Sequence, residues 1–382
     1  MTKKKRPVKK KTLAECLKRR AAKSKTKPVW AGPNAPRGGI TQSLLSIFLC
    51  CRERFRLRVI EGLASPDQFN HRIEYGNMWH LCEEVNALDD LYWDNPLETY
   101  TRKLCQKYPL QQEQIIKWYE ICKLQFPVYL KYWAKDPDEK RRRTILQEEV
   151  FSVPYSLPSG RIVYLKGKMD GVSKYGRKYY LDEHKTKGEV SPEQMRIQMN
   201  FDLQTMLYLV ALRISEKVPV KQIAGVRYNV VLRPLSGGKH SIRQLKPTKK
   251  NPQGESSEEF YERLGGLIAE DPGHYFHRWV VDITEADVLR FCDQFLNPIL
   301  EQLCDWWEWM QTGHDAFGSQ LTGIHWRTPY GFYNVLGEGG STDLDEYLAS
   351  GSEVGLVRGK PVFQELVENA NSKEADQEER TS

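Results

Sequence analysis

The sequence predicts a mixed α/β fold, and three observations carry that prediction. Three short runs between residues 149 and 184 alternate apolar and polar residues and are separated by turn residues, which is the period of strands. A helical run follows from about Glu193 to Leu212, with Met199, Leu203, Met206, Leu207 and Val210 on its apolar side. A fourth alternating run, Gln222 to Leu232, carries Val226, Tyr228 and Val230. With the helix that precedes them, these runs give the order helix, three strands, helix, strand, which describes a small α/β core.

Composition narrows the class. The chain has 382 residues, of which 40% are hydrophobic, enough for one elaborated domain or two smaller ones. No run approaches the ~18 apolar residues that a membrane span needs; Leu44 to Cys50 is the greasiest early stretch and is far too short. The N-terminus is basic but no apolar segment follows it, so secretion is not expected. Eight cysteines are scattered without a C-x-x-C pair, the usage of reduced thiols in a cytoplasmic protein. No membrane partner is expected.

Residues 1 to 29 hold thirteen Lys/Arg against the single acid Glu15. Such a block repels itself and builds no core. It either neutralises nucleic-acid phosphates or only solubilises the chain. Pro28, Pro33, Pro36, Gly38 and Gly39 then mark a linker, so residues 1–40 form a basic tail and linker. Thr41 or Ser43 caps a first helix through Leu44, Leu45, Phe48 and Leu49 to Phe55 and Val59, whose second half carries Arg52, Arg54, Arg56 and Arg58. A second helix begins near Tyr75 and contains His80, which taken alone reads as a structural histidine. Residues 92 to 134 read as packed aromatic helices, and Asp136 to Arg143 as a charged connection; together they form a helical insertion at about 90–145.

Glu149 to Val153, Arg161 to Val172 and Lys178 to His184 are the three strands, with turns at Pro158-Ser159-Gly160 and at Gly176. Residues 234 to 256 are basic and rich in Gly, Pro and Ser, which reads as a mobile loop. Glu258 to Ala269 reads as a helix and Tyr275 to Val281 as a strand. Thr284 and Asp287 make a capping box for a long helix to about Thr312. Trp306, Trp307 and Trp309 on that helix are read as core rather than as a flat binding surface. Residues 337–382 end in an acidic tail expected to be flexible.

The stretch Gly167 to Lys187 carries the chemistry. In an extended strand, side chains at i and i+2 share a face, so Glu183 and Lys185 point one way and His184 the other. A hairpin turning at Gly176 brings Asp170 close to both. Two carboxylates and an ammonium at one strand edge suit a divalent cation beside a water or phosphate. The competing reading is a solvated hairpin with ordinary charges.

Neighbouring motifs decide between the two. His80 in G-N-M-W-H, Asp170 in G-K-M-D-G-V, Glu183-His184-Lys185 followed by Thr186 and Lys187, and Gln204 and Tyr208 in Q-T-M-L-Y occur in that order. In this the chain resembles the PD-(D/E)XK nuclease superfamily and, within it, the RecB-like exonucleases, particularly phage-type relatives of the CRISPR-adaptation nucleases. The resemblance covers roughly residues 41 to 335 and implies a nuclease domain over 41–336 with a restriction-endonuclease-like core. It implies catalytic roles for Asp170, Glu183, Lys185, His80, Gln204 and Tyr208. The metal, Mg2+ or Mn2+, would be held by His80, Asp170, Glu183 and the main-chain carbonyl of His184. Glu149 is a further carboxylate that a second metal could use. Lys185 would position the attacking water, stabilise phosphorane charge, or act as base if its pKa were depressed.

One departure is plain. The CRISPR-adaptation relatives hold an iron–sulfur cluster with one N-terminal and three C-terminal cysteines. Cys50 or Cys51 matches the first, but 328–336 lacks the others and no cysteine follows Cys304, so four thiolates at that spacing cannot be assembled and no iron–sulfur cluster is expected. The expected activity is that of a metal-dependent DNA exonuclease in phage-type recombination, replication or end processing, in the cytoplasm of a bacterial or phage-infected cell. Its expected partners are DNA and a phage recombination or single-strand-binding protein. An endonuclease of the same fold and a non-catalytic nucleic-acid-binding protein are the alternatives.

Overall fold

The computed structural model describes residues 13, 39–50, 52–60, 63–64, 68–87, 92–200, 202–235, 242–249, 252–311 and 357–358. Apart from Leu13, Val357 and Arg358, the basic tail, the 328–336 segment and the acidic tail lie outside the described residues.

Helix α1 (Gln42–Cys50) opens the core. Thr41 Oγ1 accepts the Leu44 N–H at 3.2 Å, the bond a threonine cap makes. A short helix, Arg52–Phe55, and a π-helical turn, Arg56–Ile60, follow it. Helix α2 (His71–Ala87) begins one turn earlier than its apolar periodicity suggests, because Asn70 Oδ1 accepts the Arg72 N–H at 3.0 Å. The aromatic region forms α3 (Asp94–Lys107) and α4 (Gln112–Trp133).

Strands β1 (Arg142–Ser156), β2 (Ile162–Tyr175) and β3 (Lys178–Lys187) pair antiparallel in sequence. Gly176, with φ of 59°, makes the β2–β3 turn that a side chain would strain. The single helix expected over 193–212 is two, α5 (Pro192–Met199) and α6 (Leu203–Ser215). Between them Asp202 stays extended, and its carboxylate accepts the N–H groups of Gln204 at 2.7 Å and Thr205 at 3.3 Å. An aspartate that binds the next turn's amides starts a new helix rather than continuing the old one.

Strand β4 (Ile223–Leu232) returns parallel to β3. Helix α7 (Ser257–Glu270) follows, with a reciprocal Ser256–Glu259 capping box, and β5 (Phe276–Asp282) pairs antiparallel with β4. The described part of 234–256 is tied down rather than loose. Ile242 N–H donates to the Pro234 carbonyl at 3.2 Å, and Glu255 accepts from Leu245 N–H at 2.8 Å and from Arg263 Nε at 2.6 Å. The Thr284–Asp287 box caps α8 (Glu285–Phe291), a π-helical turn spans Cys292–Leu296, and α9 (Asn297–Gln311) completes the expected long helix.

The sheet order is β1-β2-β3-β4-β5, and helices cover both faces. This is the expected restriction-endonuclease-like α/β core with helical elaborations. One core packs α1, α6 and α9 on the sheet, with Leu45, Leu207, Val226 and Leu303 fully buried. The other packs α2, α3, α4 and α7 on the opposite face, around Trp79, Phe126 and Leu264. Trp306 is core: it lies edge-on to Phe48 at 5.8 Å and Phe55 at 5.6 Å, joining the first and last described helices. No helix among the described residues is long and apolar enough to cross a membrane.

Trp79 is fully buried and meets Phe126 and Tyr129 edge-on at 5.2 Å each. It fixes α2 to the helical layer one residue before His80. Trp79→Ala is expected to cost about 3–5 kcal/mol, read as a lowered urea midpoint at unchanged slope.

Candidate active site

The site begins with a break in sheet pairing. Strands β2 and β3 are in register from Tyr175↔Lys178 to Gly171↔Asp182, and their pairing stops there. Beyond that point β3 stays paired with β4 through Lys187↔Leu232, while β2 stays with β1. Asp170 and Glu183 are therefore the first residues of the fork. The vacated edge of β2 is taken by Ile40, whose N–H donates to Tyr164 O at 2.7 Å and whose carbonyl accepts from Lys166 N–H at 3.0 Å. Across the fork, Asp170 Oδ2 accepts the main-chain N–H of His184 at 2.8 Å.

Strand alternation then sorts the side chains as expected. Glu183 and Lys185 face α6. Lys185 Nζ lies 2.5 Å from Glu183 Oε1 and donates to Gln204 Oε1 at 2.7 Å. Gln204 Nε2 in turn donates to Tyr208 Oη at 3.3 Å. Gly167 permits this approach: a Cβ there would lie 2.7 Å from Phe151 and 2.9 Å from Tyr208. His184 faces α2, its Nδ1 3.4 Å from Glu83 Oε1 with both side chains buried.

Helix α2 delivers His80, whose Nδ1 is 3.7 Å from Asp170 Oδ2. His80, Glu148 and Asp170 each offer a ligand atom within 4.8 Å of the other two. Glu148 was not singled out in the sequence; its neighbour Glu149 was. The structure separates them. Glu148 has φ of 48°, a left-handed conformation costly for a residue with a Cβ, and lies opposite Asp170's stretch of β2. Both carboxylates are ion-paired, Glu148 with Lys168 and Glu149 with Lys217, but Glu148 is the one within reach of His80 and Asp170. The β1–β2 register selects the first carboxylate: Gln147 pairs with Gly171 and Glu149 with Met169, which sets Glu148 opposite Asp170.

Electrostatics follow from burial. Burial pushes the Glu183 carboxyl up, and the neighbouring Asp170 adds to the effect, to about 7. Burial likewise raises Asp170, opposed by the His184 imidazolium and N–H. His80 is pushed down to about 4 by burial and by His184, so its imidazole is neutral, as a ligand must be. Burial disfavours the Lys185 ammonium, but Glu183 and Asp170 outweigh it and hold the pKa above that of ordinary lysine. Lys185 is thus a fixed cation, not a base. Burial keeps Tyr208 protonated by raising its pKa.

The donor set fits a divalent cation. Two carboxylates and one neutral imidazole converge, and Glu183 Oε2 is buried with no hydrogen-bond partner. Hard oxygen donors with one nitrogen suit Mg2+ or Mn2+. His184 contributes its N–H to Asp170, and its ring lies outside the His80–Glu148–Asp170 cluster. Among the described residues, Cys50, Cys82, Cys105, Cys122, Cys292 and Cys304 are free thiols spread over several elements.

Behind the site lies a polar network that the sequence read only as a charged connection. Arg142 reaches Glu139 Oε1 at 2.9 Å, Ser173 Oγ at 2.8 Å and Asp182 Oδ2 at 3.3 Å. Arg278 binds Glu139 at 2.7 Å and Asn229 at 2.5 Å, and its guanidinium lies 3.8 Å from the Trp133 ring centroid. Asn229 Nδ2 is 3.5 Å from His184 Nδ1, which joins the network to the site.

A family model for the PD-(D/E)XK nuclease superfamily matches residues 40–305. No curated protein matches the chain.

Two measurements probe these charges. Glu183 is raised to about 7, and a cation that takes up its carboxylate displaces the proton. Mn2+ affinity is therefore expected to weaken as pH falls through about 7, with proton release detected by calorimetry in buffers of different ionisation enthalpy. For the buried pair, burial opposes both charges but each partner outweighs it, so Glu83 falls to about 2 and His184 rises to about 9. Its contribution is full between the ordinary values of 4.5 and 6.5, and is lost as pH falls through about 2 or rises through about 9. Glu83→Ala is expected to cost about 3–5 kcal/mol and to return His184 towards an ordinary imidazole titration by NMR.

Proposed function

Because this chain belongs to the PD-(D/E)XK nuclease superfamily, we propose that it is a metal-dependent DNA exonuclease that hydrolyses phosphodiester bonds at the β2–β3 fork. One observation carries the reading. His80, Glu148 and Asp170 converge within 4.8 Å, and Lys185 is held between Glu183 and Gln204 in the cavity that His80 and Asp170 line. A surface hairpin of ordinary charges has no reason to hold a partly buried lysine between two such partners.

Asp170, Glu148 and His80 would hold a divalent cation, with Glu183 Oε2 free to join them, and the cation would supply Lewis-acid neutralisation of the phosphate and activation of water. Lys185 remains an ammonium and meets the charge that grows on the phosphoryl oxygens. Gln204 holds that ammonium through its carbonyl oxygen and is itself oriented by Tyr208. This removes rotameric freedom from the cation before the substrate arrives.

The exonuclease assignment and a role in phage-type recombination, replication or end processing rest on the order of the four motifs, from His80 through Asp170 and Glu183-His184-Lys185 to Gln204 and Tyr208. DNA is the proposed substrate. A recombination or single-strand-binding protein is the proposed partner, and the cytoplasm of a bacterial or phage-infected cell the proposed compartment.

The test compares linear, nicked and covalently closed circular DNA with Mg2+, Mn2+ and EDTA. Cleavage of linear DNA with either cation and none with EDTA is expected; cleavage of closed circles would overturn the exonuclease assignment. Asp170→Asn and Lys185→Gln are each expected to lower turnover by about 10²–10³ with folding unchanged by circular dichroism. Wild-type rates in either variant would show that the site is misassigned.

A further inference from the structure

The cavity at the fork, about 960 Å³, extends well beyond the metal donors. Its lining includes Arg58 from the π-helical turn, Arg72 and Gly76 from α2, and Ser43 and Ser46 from α1. Arg72, Gly76 and His80 are spaced four residues apart and so form one stripe along α2. The stripe runs from a cation to a metal donor with a glycine between. A Cβ at Gly76 would touch only Thr186 Oγ1, at 3.5 Å, so no neighbouring side chain crowds that part of the stripe.

Arg58 and Arg72 bring positive charge to the cavity wall. Among the described residues, neither Arg58 nor Arg72 has an acidic partner in an ion pair, whereas Arg142, Arg161, Arg227, Arg263 and Arg278 all do. The cations nearby repel one another. Burial and Arg54 lower the pKa of Arg58; burial and Arg72 lower that of Arg233; burial and Lys185 lower that of Lys187. Arg233 is fixed in place by Thr186, donating to its carbonyl at 3.2 Å and its hydroxyl at 3.3 Å. Half-buried Arg58 lies beside Arg54 and has no acidic ion-pair partner among the described residues, an arrangement that a bound anion would stabilise.

We propose that Arg58 and Arg72 form a phosphate-binding subsite that holds the substrate strand at a phosphate other than the scissile one. This rests on the nuclease reading of the fork. Eight residues of helix separate Arg72 from His80, about 12 Å along the axis. That exceeds the ~3.4 Å rise of one nucleotide in a stacked strand, so the two ends of the stripe meet different phosphates. The ligand chemistry is a phosphate oxyanion recognised by guanidinium groups. It is either a terminal monoester or an internucleotide diester. A subsite of this kind binds ground state and transition state alike, so its loss appears in binding rather than in turnover.

The experiment measures binding apart from cleavage. Fluorescence anisotropy in EDTA follows a single-stranded oligonucleotide with a 5′-phosphate, the same one with a 5′-hydroxyl, a 3′-phosphorylated form, and a closed single-stranded circle. The proteins are the wild type, Arg58→Gln, Arg72→Gln, the double variant, and Arg102→Gln on α3 as a charge-matched control. Each cavity variant is expected to weaken binding about tenfold and to reduce the slope of log K against log salt by about 0.7. At saturating substrate with Mn2+, kcat should stay within about twofold while KM rises; the control should match the wild type. If removing one terminal phosphate costs as much as removing an arginine, the ligand is the chain end. If the circle binds equally well and remains arginine-dependent, the ligand is internucleotide. Unchanged affinity and salt slope in a protein that cleaves would overturn the subsite and leave the nuclease standing. Arginine-dependent binding without cleavage by the wild type would keep the subsite and sink the nuclease. A wild type that binds no probe would overturn both.

Discussion

The rest of the site depends on one hydrogen bond, from the main-chain N–H of His184 to Asp170 Oδ2 at 2.8 Å. It forms where β2 and β3 cease to pair and replaces the ladder that the fork has lost. A buried strand amide has to find a partner, and here that partner is a carboxylate rather than a carbonyl. The bond fixes Asp170 at the apex of the fork. It also ties the acid to the strand that carries Glu183 and Lys185. His80 and Glu148 are then brought to Asp170 from two further elements.

The two faces of β3 divide the labour. Glu183 and Lys185 turn to α6, where Gln204 and Tyr208 hold the ammonium. Asp182 and His184 turn to the helical layer, where Arg142 and Glu83 meet them. The second face contains more buried charge than a stable core needs, since a packed apolar substitute is often as stable. Its physical consequence is positional: the imidazolium of His184 lies behind Asp170 and favours its ionised form. The helical insertion is joined to this face through Asp136, Glu139 and Trp133, so it helps support the site's wall.

Much of the site was legible because strand and helix periods are strict. Alternation put Glu183 and Lys185 on one face and His184 on the other, and four-residue spacing put Gln204 beside Tyr208. The break at Asn200–Asp202 was hidden, because the apolar period continues across it and only the aspartate's bonds to the next amides stop the helix. Glu148 was hidden for a different reason. It faces Asp170 through the β1–β2 register, which neither strand's own residue pattern specifies. The Asp136–Arg143 segment looked like a solvated connection, since charged residues usually are exposed; its partners come from β2, β3, β4 and β5, far away in sequence.

By itself the sequence determined the order of elements, the facing of residues within each, and the chemical types gathered near Asp170, since these follow from local periodicity and spacing. Tertiary structure alone decided which carboxylate of Glu148 and Glu149 joins His80, where the β2–β3 ladder opens, and that Arg58 and Arg72 line the same cavity as His80 and Asp170. Those outcomes depend on contacts between segments tens of residues apart. The free energy of such contacts comes from burial and charge pairing in three dimensions, which no window along the chain contains.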